Sequence, residues 1–133
     1  MNILVNGIPG RMATEVACHL VGEERFTVVP YSFHGNGAPA VVRVGGKPVE
    51  VVPLSLREGS IDLIASRYNP LVAVDFTVPE AVMGKVEFYC SRGIPFVMGT
   101  TGGNREALEM RVRNSDTVAV IASNMAAPIV AFQ

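Results

Sequence analysis

Two rhythms alternate along the chain: short apolar runs that stop at glycine or proline, and longer stretches with apolar residues three and four apart. The first run, Asn2–Asn6, is apolar at successive positions and stops at Gly7, the pattern of a strand buried on both faces. From Arg11 to about Val21 the period is helical, with Met12, Val16 and Leu20 on one face at four-residue steps. Phe26–Phe33 reads as the second strand, although Pro30 lies near its end. Val41–Val52 holds two β-rich pieces around Gly45-Gly46 and Lys47-Pro48, either a small hairpin or an extended excursion. Ile61–Ser66 reads as a helix ended by Asn69-Pro70, and Leu71–Phe76 as a third clear strand. Pro79 opens a helix through about Cys90, because proline fits a first helical turn, where its missing N–H has no partner to lose. Pro95–Met98 is a short strand, Arg105–Asn114 a charged surface helix and Thr117–Ala122 the next strand. Gly35–Pro39 reads as a flexible tip, and no linker or internal repeat interrupts the pattern. Alternating strands and helices imply one α/β domain with a doubly wound, mostly parallel sheet covered on both faces.

Composition narrows this picture. The 133 residues suffice for one domain with a single core. With 49% apolar and 17% charged residues the chain is globular, and a net charge of -1 argues against a nucleic-acid footprint. No apolar run approaches the roughly 20 residues that span a bilayer, so no membrane partner is expected. Met1–Val5 already reads as strand, so no signal peptide is expected ahead of the fold. Cys18 and Cys90 lie far apart in predicted helices without a spacing motif, which favours free, buried thiols of an intracellular protein over a disulfide or a metal site.

The candidate chemistry sits at the strand ends. Gly7-Ile8-Pro9-Gly10-Arg11-Met12-Ala13 joins the first strand to the first helix. A dinucleotide pyrophosphate needs close backbone approach and free amides at a helix N-terminus, where the dipole favours negative charge. Gly7 and Gly10 meet the first need, and Ala13 stands where a third small residue lets helix and sheet pack closely. The spacing is a relative of the Rossmann fingerprint rather than its standard form, and it occupies the strand-turn-helix context that motif demands. Arg11 is either a phosphate ligand or a solvated surface arginine.

At the end of the second strand, Ser32-Phe33-His34 stands where NAD-specific domains carry the carboxylate that binds the ribose 2′-hydroxyl. Its absence leaves NADPH admissible or preferred over NADH. Ser32 and His34 are candidate donors to a 2′-phosphate and Phe33 a candidate adenine contact; the alternative is that Phe33 is core and His34 a loop histidine. Phe76, Thr77 and Pro79 follow the third strand, and Gly99, Thr100 and Thr101 the next. Both are positions at which ligands bind in open parallel sheets. Ser123, Asn124 and Met125 follow the last strand, as a nicotinamide contact or a plain loop. The sequence contains no nucleophilic triad, paired acid-base carboxylates or metal-ligand spacing; His19 falls within the first helix.

Taken together, Gly7-x-x-Gly10-Arg11-Met12, Asp75-Phe76-Thr77-x-Pro79, Gly99-Thr100-Thr101-Gly102 and Ser123-Asn124-Met125 resemble the dihydrodipicolinate reductases in order and spacing. Pro95–Gly103 and Val130–Phe132 look closest to the plant-type branch. The resemblance covers essentially the whole chain, and the set is specific where any one motif is not. It implies a Rossmann-like domain binding NAD(P)H, NADPH favoured, for reduction of a cyclic imine in the diaminopimelate route to lysine. It further implies that Gly7, Gly10, Arg11 and Met12 line the pyrophosphate turn, and that Ser32 to His34 face the adenosine ribose. Phe76, Thr77 and Pro79 pass the cofactor's middle, Gly99 to Thr101 hold the nicotinamide ribose, and Ser123 to Met125 close over the nicotinamide.

Two local departures stand out: Ala13 replaces the usual glycine, and the bacterial type's acidic-basic pair at the second strand is missing. The family's paired histidines, lysine and substrate clamp are also absent. The expectation is therefore a cofactor domain over 1–127, with 128–133 leading to a catalytic domain that is not in the sequence. Such a chain binds cofactor but turns over little substrate, and no residue of it is assigned as catalytic. The parent is expected to be a tetramer through that second domain, and the chain itself either a monomer or associated through the apolar stretch after Pro128; the location is the cytoplasm, or the plastid stroma of a plant or alga. Two other readings stay open: the cofactor domain of a different oxidoreductase, and a non-catalytic reductase-like binding or assembly protein.

Overall fold

Strand β1, Asn2–Asn6, buries Ile3, Leu4, Val5 and Asn6, as its unbroken apolar run requires. It belongs to a computed structural model that describes residues 1–34, 38–76, 78–100 and 104–121. The chain divides into two compact units, Met1–Ala73 and Val74–Gln133.

In the first unit β1 leads through a turn into helix α1, Arg11–Val21. Its buried face is Ala13 and Ala17, while Met12 is exposed and Val16 and Leu20 are half-buried. The face expected from Met12, Val16 and Leu20 is thus rotated by about one position. Two alanines four apart let the helix backbone lie close to its neighbours, which longer side chains would prevent.

The expected strand Phe26–Phe33 is two strands in two sheets. Strand β2, Thr27–Val28, pairs in parallel with β1, Asn2 opposite Thr27. The Val29 N–H donates to the Ile3 carbonyl at 2.9 Å, and then Pro30, which has no N–H, ends that ladder. The Pro30 carbonyl instead accepts from the Glu50 N–H at 3.0 Å. Strand β3, Tyr31–His34, accordingly runs parallel to β5, Lys47–Pro53, in a three-stranded sheet of order β3-β5-β4.

Strand β4, Val41–Val44, forms an antiparallel hairpin with β5, which settles the choice left open by the sequence. Its turn is Gly45-Gly46 with φ of 57° and 81°, the consecutive left-handed pair that a two-residue hairpin of matching twist requires. Helix α2, Arg57–Arg67, starts four residues before the expected Ile61. Only Ile61 and Ile64 are buried, so the apolar pattern marks its inner half alone.

Strand β6, Leu71–Asp75, neighbours β1 in the first unit, giving the order β2-β1-β6 there. The order in the second unit is β6-β7-β8, with β7 Phe96–Met98 and β8 Ala119–Ile121 in parallel register, Phe96 opposite Ala119. Between them lie helices α3, Val82–Arg92, and α4, Arg105–Arg113. Pro79 begins a single 3-10 turn, Pro79–Ala81, that feeds α3. Asn104 caps α4, its side-chain oxygen accepting from the Ala107 N–H at 3.2 Å. The second unit packs Val86, Tyr89, Phe96, Met98 and Leu108 in its interior. Parallel strands alternating with helices bear out the Rossmann-like α/β class. Both cysteines are free thiols; Cys90 is buried as expected, but Cys18 is exposed, because it lies on the outer face of α1. Among the described residues no helix is long and apolar enough to cross a membrane.

Candidate functional site

The turn after β1 is built by its own backbone. Gly7 has φ 108°, a conformation that side-chain-bearing residues rarely adopt. Three residues on, the Gly10 N–H donates to the Gly7 carbonyl at 2.7 Å. A Cβ at Gly10 would meet that carbonyl oxygen at 2.7 Å, closer than real Cβ atoms come to backbone oxygen. Both glycines are therefore required by the turn itself.

β3 supports this turn. The Gly7 N–H donates to the Phe33 carbonyl at 3.1 Å, the Ile8 N–H to Ser32 Oγ at 3.2 Å, and the Phe33 N–H to Asn6 Oδ1 at 2.9 Å. Ser32 and Phe33 are 0% and 1% exposed. In this structure both side chains are turned into the interior, with Ser32 Oγ engaged by the Ile8 N–H. Alternation along β3 is overridden because Ser32 is spent on the Ile8 amide and Phe33 fills the core. His34, half-buried at the strand end, is the one residue of that trio with surface to offer.

Past the turn, α1 begins at Arg11 with Gly10 as its cap. Among the described residues no side chain caps the first-turn amides, and no acidic residue lies in that turn. Uncapped amides and an uncompensated helix dipole make this end attractive to an anion. Arg11 is 93% exposed and paired with Glu15 at 3.6 Å. An exposed pair of this kind is worth about 0–1 kcal/mol, so the guanidinium can exchange it for a phosphate at little cost. Met12 and Gly10 are exposed beside it.

In the second unit Phe76 is half-buried at the end of β6 and Pro79 is exposed at the start of its 3-10 turn. Gly99 and Thr100 follow β7, also half-buried. The Gly99 N–H donates to the Asp75 carbonyl at 2.9 Å, which ties the ends of β6 and β7 together. Thr77, Thr101, Ser123, Asn124 and Met125 lie outside the described residues. A separate cavity of about 440 Å³ in the first unit is lined by residues of β3, β5 and α2 such as Tyr31, Val52 and Ile64, and by none of the candidate site residues.

Two features escaped the sequence reading. Asn6 looks like the polar end of an apolar strand, yet it is fully buried and holds β3. Lys85, to which the sequence assigned no role, is buried against Asp75, with Nζ 3.5 Å from Oδ2. The available signal was its spacing: Lys85, Val86 and Tyr89 share the apolar face of α3.

Comparison with known proteins bears on the family of the chain. The chain is 39% identical over 131 residues to a protein of Oryza sativa subsp. japonica named probable 4-hydroxy-tetrahydrodipicolinate reductase 2, chloroplastic, covering 98% of this chain and 40% of that one. It is 38% identical to 4-hydroxy-tetrahydrodipicolinate reductase 2, chloroplastic, of Arabidopsis thaliana, over 99% of this chain and 38% of that protein. A 4-hydroxy-tetrahydrodipicolinate reductase of Methanosphaera stadtmanae is 29% identical, over 99% of this chain and 50% of its own length. The higher identities to the plant proteins fit the plant-type branch, and the chain spans about 40% of their length. Residues 1–125 match the family described as dihydrodipicolinate reductase, N-terminus, and to that family the chain belongs.

Proposed function

We propose that this chain binds NAD(P)H, NADPH at least as tightly as NADH, as residues 1–127 of a 4-hydroxy-tetrahydrodipicolinate reductase of lysine biosynthesis. The observation that carries this reading is the turn Gly7–Gly10, too tight for a Cβ at Gly10, which opens onto a helix end with no side-chain cap among the described residues and no acid in its first turn. The group that fits is a pyrophosphate, held by the first-turn amides of α1 with Arg11 as its mobile counter-charge and Met12 alongside. No carboxylate stands at the end of β3, where one would repel a 2′-phosphate and favour NADH. His34 is assigned as the donor to that phosphate.

In the second unit Phe76, Thr77 and Pro79 are assigned to the middle of the cofactor, and Gly99, Thr100 and Thr101 to the nicotinamide ribose. Ser123, Asn124 and Met125 are assigned to the nicotinamide. Bound NAD(P)H supplies a hydride for a cyclic carbon–nitrogen double bond. The residues of this chain hold and orient it; protonation of the substrate nitrogen belongs to a domain continuing from 128–133. The intact enzyme is assigned as a tetramer, in the plastid if its source is a plant or alga and otherwise in the cytoplasm.

Calorimetric titration of the chain tests the cofactor reading. NADPH is expected to bind at least as tightly as NADH; a clear preference for NADH overturns the assignment at β3, and failure to bind either overturns the site. For the activity, the full-length gene product is assayed with enzymatically generated substrate. Absence of NADPH oxidation there sinks the enzymatic reading.

A further inference from the structure

Beneath the end of β6 the second unit buries three polar groups that touch no proposed ligand. Asp75 closes β6 at 1% exposure, Lys85 on α3 is 2% exposed, and Tyr89 one turn later is fully buried. Lys85 and Tyr89 are four apart, so both project from one face of α3. They converge on one atom: Lys85 Nζ lies 3.5 Å from Asp75 Oδ2, and Tyr89 Oη donates a hydrogen bond to the same oxygen. The Tyr89 ring is held in turn, stacked on Phe96 at 5.1 Å and edge-on to Phe88 at 5.4 Å. Asp75 Oδ1 is buried with no hydrogen-bond partner among the described residues.

Removing a carboxylate and an ammonium from water is costly, and well-packed apolar residues of similar volume usually give equal or greater stability. Stability alone therefore does not account for the cluster. Its effect is geometric. The side chain of Asp75 is pinned to α3, while its carbonyl accepts the Gly99 N–H at 2.9 Å. One residue thus fixes both strand ends from which the chain enters the Phe76–Pro79 and Gly99–Thr100 segments.

We propose that Asp75, Lys85 and Tyr89 form a positioning cluster that sets the loops after β6 and β7 for the nicotinamide riboside half of the cofactor. This rests on the cofactor reading above. The three act through backbone they anchor and are not catalytic residues.

The test uses the whole chain, calorimetry, and two probes: NADPH, and 2′,5′-ADP, which lacks the nicotinamide riboside. The double substitution Asp75→Asn with Lys85→Met removes both buried charges together, so neither is left unpaired. Tyr89→Phe deletes one hydroxyl and keeps the stacked ring. The double variant is expected to bind NADPH about tenfold more weakly and Tyr89→Phe about threefold more weakly, with 2′,5′-ADP affinity held within about twofold for both. The change in nicotinamide fluorescence on binding should shrink in the same order. Wild-type NADPH affinity in both variants, or equal loss on both probes, overturns the positioning role. Should the double variant fail to fold, Tyr89→Phe alone decides by the same two criteria. A wild-type chain that binds neither probe overturns the cofactor reading itself, a result visible before any variant is made.

Discussion

Asn6 at the end of β1 accepts a hydrogen bond from the backbone N–H of Phe33 in β3 at 2.9 Å, with both residues buried. The next amide, Gly7, donates back to the Phe33 carbonyl at 3.1 Å, so the peptide groups of Phe33 are gripped from both sides by the start of the glycine turn. Asn6→Ala leaves a buried N–H without this acceptor, a loss of about 1–3 kcal/mol. Calorimetric melting should show a drop of several degrees for a chain of this size. A Tm unchanged within about 1 °C would contradict the role given to Asn6.

Ser32 separates two accounts of the same residue. As a ligand of the 2′-phosphate it would favour NADPH over NADH; as the acceptor of the Ile8 N–H, 3.2 Å away in the interior, it holds the turn for either cofactor. Ser32→Ala is therefore expected to lower the Tm and weaken NADPH and NADH together, leaving the ratio of their dissociation constants unchanged. A ratio that shifts toward NADH in competitive titration would return Ser32 to the ligand.

At Gly10 the constraint is steric before it is electrostatic. Since a Cβ would sit 2.7 Å from the Gly7 carbonyl oxygen, Gly10→Ala must open the turn and turn the α1 amides away. NADPH affinity should fall by about tenfold or more. Gly10→Asp adds a negative charge at the same place and should abolish binding altogether. Retained affinity in Gly10→Asp would refute the phosphate turn.

Most of the fold was legible because apolar runs report burial directly. β1 was read to the residue, and Arg105–Arg113 and Phe96–Met98 to within one. The reading failed where local chemistry overrode the run. Pro30 lacks an N–H, so an apolar stretch that looks continuous changes sheets there. Arg57–Ser60 carries no apolar face, so the first turn of α2 gave no signal. Gly7 and Gly10 were legible because the turn demands residues without side chains at both. The supports behind them were not. Asn6, Ser32 and Lys85 are polar residues whose burial depends on partners 27, 24 and 10 positions away, and no local pattern encodes such pairings.

The two thiols were expected to be alike and are not. Cys18 faces outward from α1, whereas Cys90 is 6% exposed on α3. Titration of the native protein with a thiol-reactive disulfide should modify Cys18 at once and Cys90 only after denaturant is added. Prompt reaction of both would mean that α3 opens readily in the native state.

The ion pair between α3 and α4 gives a pH dependence of known sign. Arg111 grips Glu87 as a fork: Nη2 donates to Oε1 at 2.9 Å and Nε donates to Oε2. The Arg111 hydrogen bond holds the Glu87 carboxyl below its ordinary value of 4.5; desolvation opposes it, and the guanidinium charge adds to the lowering. The pKa is depressed in the folded state, so the folded chain binds its proton less readily than the unfolded one. The stabilisation is then complete above the unfolded value and is lost as pH falls through the lower, folded one. The guanidinium does not titrate in this range, because its own value is raised by the same contact. Wild type is accordingly expected to melt above Glu87→Gln at pH 7. The gap should begin to close near the ordinary glutamate value and vanish below the folded one. Added salt should narrow it as well, since both side chains reach solvent. A gap constant from neutral pH down through the acid range would show that Glu87 contributes by packing and not by charge.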